Sequence, residues 1–139
     1  MLRTVIDTVV FVRSLINPHS RSGQIVFSHN KLYELYVSEP VIKEILEVLQ
    51  RPELTSKFNS LKKMNYKKIL IILSHAQAVE ISKIPEVSRD PKDNIFIATS
   101  IEAKTDYLVS EDRDLLDLKK YRGIKIINTK KFLQILEKN

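Results

Sequence analysis

Residues 90–117 read DPKDNIFIATSIEAKTDYLVSEDRDLLD. Asp90 before Pro91 marks a helix start, because proline at the first helical position lacks only an N–H that has no partner there. The apolar residues that follow carry this helix to about Lys104. Asp106 to Ser110 (DYLVS) then reads as a strand, and Asp112 to about Lys119 as a short helix. One stretch thus holds helix, strand and helix, with an acid at each junction.

The same alternation extends outward in both directions. Residues 2–6 (LRTVI) form a β-branched strand that ends at Asp7, and residues 8–16 a helix stopped by Asn17-Pro18. A short helix is expected over 22–30, then a strand over 32–37. Ser38 caps a helix running to about Gln50, with Pro40 in its first turn. Residues 53–76 suit two short helices, 77–82 a strand and 123–127 a last strand, with Thr129 capping a final helix. Strands alternating with helices predict a mainly parallel sheet with helices on both faces. Only two glycines and no low-complexity tract occur, so residues 1–139 are expected to form one domain.

Composition excludes several classes of function. The chain has no cysteine, which removes disulfides, thiolate zinc sites and cysteine nucleophiles. No apolar run approaches the roughly 18 residues of a membrane span, and MLRTVID carries no basic-then-apolar leader. A cytoplasmic protein with no membrane partner is expected. Lys and Arg number 23 against 17 Asp and Glu, a net charge of +6. Residues 90–117 nevertheless hold eight acids and three bases, which leaves the rest at +11. A basic surface around an acidic centre suits a polyanion held beside bound cations.

In an open parallel sheet, ligands bind beyond the C-terminal ends of the strands. Asp7 falls there, as do Asp112 and Asp114. Asp93 lies in the first turn of its helix, where a carboxylate is favoured by the helix N-terminus. Glu44 follows from helical geometry. Val41, Ile42, Ile45, Leu46, Val48 and Leu49 define an apolar face. Glu47 falls opposite that face and Glu44 at its margin, where a buried charge needs a partner. Converging carboxylates repel unless a cation joins them, and Mg²⁺ or Mn²⁺ takes such oxygen ligands. The combination predicts a metal-dependent phosphodiesterase acting on nucleic acid. Lys62, Lys63, Lys67 and Lys68, with Lys119 and Lys120, are candidate phosphate contacts. His19, His29 and His75 are expected to be structural or solvent-facing.

The stretches VIDTVVFVRSLINPHS, LYVSEPVIKEILEVLQRPEL and DPKDNIFIATSIEAKTDYLVSEDRDLL together resemble the PIN-domain ribonucleases, in particular the branch of VapC-type toxins. The resemblance implies a three-layer α/β/α sandwich and Mg²⁺- or Mn²⁺-dependent cleavage of RNA, with one or two ions. It assigns Asp7, Glu44, Asp93 and Asp112 as the catalytic, metal-holding acids, with Asp114 accessory to the metal. Thr8, Ser38 and Ser110 align with hydroxyl residues near such sites. It also implies a cognate antitoxin and a homodimer, for which Val10, Phe11, Ile25, Val26 and Phe27 offer an apolar face if they are not core. Two positions depart from the pattern: Val9 stands where Asn is usual, and Glu111 where Gly is usual.

Two other readings compete. A non-catalytic RNA-binding or regulatory module of the same fold is motivated by Val9. A phosphoryl-transfer enzyme with an aspartyl nucleophile would want a second Asp two residues after Asp7, and Val9 counts against it.

Overall fold

The computed structural model describes residues 1–138. Strand β1 (Leu2–Ile6) leads to Asp7, whose carboxylate accepts the Thr8 N–H and caps α1 (Thr8–Ile16). The regular helix expected over 22–30 is replaced by a change of winding. A short turn, α2 (Arg21–Gly23), widens into π-helical Gln24–Ser28 and tightens into a 3₁₀ turn at Asn30–Leu32. Gly23 is required here, since a Cβ would stand 2.1 Å from the Pro18 carbonyl oxygen.

Next come β2 (Tyr33–Val37), α3 (Glu39–Leu49), α4 (Pro52–Thr55) and α5 (Ser60–His75). They are followed by β3 (Gln77–Ala78), α6 (Pro91–Ala103) and β4 (Tyr107–Val109). The chain ends with α7 (Arg113–Leu116), β5 (Lys120–Tyr121), β6 (Ile124–Ile127) and α8 (Thr129–Lys138). The sheet order is β3-β2-β1-β4-β6-β5. All neighbours are parallel except β5 with β6. The mainly parallel sheet between helix layers is the expected three-layer α/β/α architecture. Among the described residues, no helix is long and apolar enough to cross a membrane.

Three local expectations fail for identifiable reasons. The strand expected over 77–82 keeps two residues, because the chain leaves the sheet edge after Val79 and contains Pro85. Strand β5 was not foreseen. It is made by a tight turn in which Arg122 (φ 48°) and Gly123 (φ 84°) both take left-handed conformations. Asn128, one residue before Thr129, caps α8 by accepting the Lys131 N–H at 2.8 Å.

The core is continuous from Val5 and Ile6 through Phe11, Ile45, Phe96 and Leu108 to Phe132. Tyr33 and Tyr107 meet the Phe132 ring edge-on at 5.3 and 6.0 Å, which seats α8 on β2 and β4. Val10, Phe11, Ile25 and Val26 are fully buried, so the apolar face suggested for a partner is core instead; Phe27 alone is half-exposed. α3 contacts both α1 and α6, and α6 crosses β1, β2 and β4. That arrangement brings Glu44 and Asp93 over the end of β1.

Candidate active site

Asp7, Glu44, Asp93 and Asp112 line one cleft of about 340 Å³, together with Thr8, Val9, Asp90, Arg51 and Lys92. Four elements deliver the four acids. Asp7 ends β1, Glu44 sits on α3, Asp93 lies in the first turn of α6, and Asp112 caps α7 after β4.

Asp7 is buried and fully engaged. One oxygen accepts the Thr8 N–H at 2.7 Å, and the other accepts the Ser110 hydroxyl at 2.8 Å. Ser110 in turn accepts the Asp112 N–H at 2.9 Å. Asp112 turns its own Oδ1 to the Asp114 N–H at 2.9 Å. Asp7 therefore caps a helix and faces the cleft at once, so the structural and chemical readings of this residue coexist.

Glu44 is half-buried and Glu47 exposed, as helical geometry requires. Among the described residues no ion pair or hydrogen bond to the Glu44 carboxylate occurs, so the lysine partner that would make it structural is absent. Asp93 accepts the Ser88 hydroxyl at 3.1 Å. Asn94 pins that loop by accepting the Val87 and Ser88 N–H groups at 3.2 and 2.8 Å. Asp90 caps α6 through the Lys92 N–H at 3.0 Å.

Burial pushes the Asp7 carboxyl up from 3.8 to about 6; the Ser110 and Thr8 hydrogen bonds oppose this, and the charges of Asp112 and Glu44 add to it. Burial and then the Asp112 charge lift Asp93 to about 7, while its Ser88 bond pulls the other way. The site has more negative charge than it can hold unaided. Carboxylate oxygens of Asp93, Asp112 and Asp114 lie within 4.8 Å of one another. The Thr8 hydroxyl, also in the cleft, is buried without a hydrogen-bond partner. An all-oxygen donor set with an unsatisfied hydroxyl beside it fits a hard divalent cation.

The remaining expected residues lie elsewhere. Ser38 caps α3 through the Val41 N–H at 3.4 Å, and its hydroxyl meets that of Thr99 on α6 at 2.8 Å. It ties two helices together beneath the site. Glu111 accepts the Thr129 N–H at 2.9 Å and the Thr129 hydroxyl, and Arg13 stands 3.9 Å away. It secures the start of α8 and does not join the acid cluster. Glu102 and Asp106 are likewise spent elsewhere, on the Ser82 hydroxyl and the Arg3 N–H. Lys62, Lys63, Lys67 and Lys68 are on α5, and Lys119 and Lys120 lead into the β5–β6 hairpin; none lines the cleft. His19 and His75 are exposed, and His29 stands 3.5 Å from Glu137.

Four polar residues escaped the sequence reading. Arg51 and Lys92 put positive charge in the cleft, Arg89 pairs with Asp114 at 3.1 Å, and Ser88 bonds Asp93. Their only sequence signal is proximity to the helix ends that carry the acids.

The sequence matches the PIN domain family over residues 3–114. It is 32% identical over 151 residues to the uncharacterized protein MJ1680 of Methanocaldococcus jannaschii, covering 99% of this chain and 93% of that one. The structure resembles PAE2754 from Pyrobaculum aerophilum, with a TM-score of 0.64 and 16% identity over 99% of this chain and 91% of the other. It also resembles VapBC2 from Rickettsia felis, solved bound to a DNA fragment from their promoter, with a TM-score of 0.56 and 16% identity over 91% and 98% of the chains. At such identity the two structures speak for the fold. The sequence match, the parallel sheet and the acids at the end of β1 agree, and the chain belongs to the PIN domain family.

Proposed function

We propose that this protein is a Mg²⁺- or Mn²⁺-dependent endoribonuclease, the toxin of a toxin–antitoxin pair acting in the cytoplasm. The observation that carries the reading is the meeting of Asp7, Glu44, Asp93 and Asp112 in one cleft. Asp93, Asp112 and Asp114 are the natural cation ligands, with Asp7, Glu44 and the free Thr8 hydroxyl facing the same space. One or two bound ions would supply an activated water and charge neutralisation at the phosphate. Ser110 holds Asp7 and Asp112 in register. Glu44 or Asp93 accepts the proton of the attacking water at a carboxylate oxygen. Arg51 and Lys92 steady the RNA backbone beside the acids. The likeness to the Rickettsia felis VapBC2 assembly supports the toxin–antitoxin part, with an antitoxin segment covering the cleft.

End-labelled single-stranded RNA tests the reading, incubated with Mn²⁺, Mg²⁺ or EDTA beside the Asp93→Asn variant. Cleavage should need metal and vanish in the variant. One observation favours a second reading, a non-catalytic RNA-binding module: Val9 contributes only apolar surface to the cleft wall. RNA retained in EDTA and never cut would establish that module in place of the nuclease.

A further inference from the structure

Two adjoining hollows lie at the end of the sheet opposite the carboxylates. They measure about 350 and 290 Å³ and share Asn30, Ile71 and Ile72. One wall is β2. Its inner edge pairs with β1 at Tyr33, Glu34 and Leu35, but its outer edge pairs with β3 only at Tyr36 and Val37. The Val37 carbonyl points outward, accepting the Val79 N–H at 2.9 Å. Strand alternation aims the Leu35 N–H and C=O the same way; the parallel register gives that C=O to the Gln77 N–H, while the Leu35 N–H lies ahead of the first residue of β3.

The facing wall is α5, and it is apolar and basic together. Ile71 is 56% exposed, and Leu61 and Met64 farther along the helix are each 54% exposed. Residues 57–76 contain no acid and five lysines. Lys31 and Lys68 flank the groove, against the single carboxylate of Glu34.

We propose that this groove docks an extended acidic segment of a different protein, which adds to the free edge of β2 as a further strand. A backbone bond from the Leu35 N–H would give the segment its register. An apolar side chain would cover Ile71, and acidic side chains would meet Lys31 and Lys68. A second copy of this chain would bring its own lysine-rich helix against this one. An RNA would use the lysines but leave the isoleucine and the strand edge uncovered. The proposal does not depend on the nuclease reading, since the groove and the cleft share no residue.

Fluorescence anisotropy on the full chain tests it with two labelled heptapeptides. One alternates valine or isoleucine with glutamate, and the other has lysine in place of glutamate. The acidic peptide should bind at least about tenfold more tightly. Ile71→Glu and Lys68→Glu, both at exposed side chains, should each weaken it by about tenfold with an unchanged circular dichroism spectrum. Hydrogen exchange at the Leu35 amide should slow on binding. The proposal is overturned if the acidic peptide fails to bind at millimolar concentration, if both peptides bind alike, or if Leu35 exchange is unmoved. A labelled single-stranded RNA whose binding Lys68→Glu abolishes, with the acidic peptide unbound, would assign the face to nucleic acid instead. Self-association lost in Ile71→Glu would assign it to a second copy.

Discussion

The hydroxyl of Ser110 donates to Asp7 across 2.8 Å and accepts the Asp112 N–H at 2.9 Å, so one side chain spans the two strand ends that carry the acids. Removing it takes away the larger of the two hydrogen bonds that stabilise the charged form of Asp7 and leaves the Thr8 N–H. Ser110→Ala should therefore raise the Asp7 pKa further. The acid limb of the pH–rate profile should move to higher pH, with cleavage at pH 6 falling roughly tenfold. Cleavage assays across pH 5–9 check this; an unmoved acid limb would contradict it.

Asp7 in the metal-free protein makes stability depend on pH with a definite sign. Its folded-state pKa of about 6 lies above the ordinary 3.8. Its contribution is whole below 3.8 and is lost as pH rises through 6, with a span of about 2–3 kcal/mol. Asp93, lifted to about 7, acts in the same direction over a higher window. Thermal unfolding in EDTA should show a higher Tm at pH 5 than at pH 7.5. Asp7→Asn should raise the Tm at pH 7.5 and flatten the slope, and Mn²⁺ should do the same for the natural chain.

Glu111 holds the start of α8 through Thr129. Glu111→Ala should cost about 1 kcal/mol, as loss of a helix cap does, and leave Mn²⁺ affinity within twofold. Urea unfolding and calorimetric metal titration measure the two quantities separately. A large fall in metal affinity would put Glu111 in the site after all.

Arg51 and Lys92 line the acidic cleft, whereas the lysines of α5 do not. Arg51→Ala and Lys92→Ala should each raise KM for RNA several-fold with a smaller change in kcat. Paired Lys67→Ala and Lys68→Ala changes should leave both constants nearly unmoved. Steady-state kinetics on a short labelled RNA distinguishes the cases.

Ser38 and Thr99 share a buried hydrogen bond of 2.8 Å between α3 and α6. Ser38→Ala removes that bond and the α3 cap together and should cost about 1–2 kcal/mol. At a temperature where the variant remains folded, cleavage should stay close to that of the natural chain. A catalytic loss without a Tm change would give Ser38 a direct part in the site.

Glu44 was legible because helical periodicity alone separates it from Glu47, and the backbone of α3 obeys that periodicity. Asp93 was legible because proline at position 91 fixes the helix start two residues before it. Arg51 and Lys92 were not, because an arginine or lysine at a helix end looks like any solvated charge until the tertiary fold turns it toward a cleft. The lysine run of α5 was plain as a charge pattern. Its place relative to the acids depends on how α5 packs against α1, which no local pattern encodes. Strand β5 was hidden for a similar reason. Two residues are too few to show a period, and only Gly123 hinted at the turn.

Strand β1 sits in the middle of the sheet, yet one of its neighbours, β4, begins about 100 residues later in the chain. The first acid of the cleft is residue 7 and the last of the four is residue 112. A chain still being synthesised has Asp7 and Glu44 long before Asp93 and Asp112, and without β4 it lacks the partner that positions Asp7. Contacts of such sequence separation form late in folding. The order of the strands thus acts as a timer: the cleft assembles only when most of the polypeptide has left the ribosome.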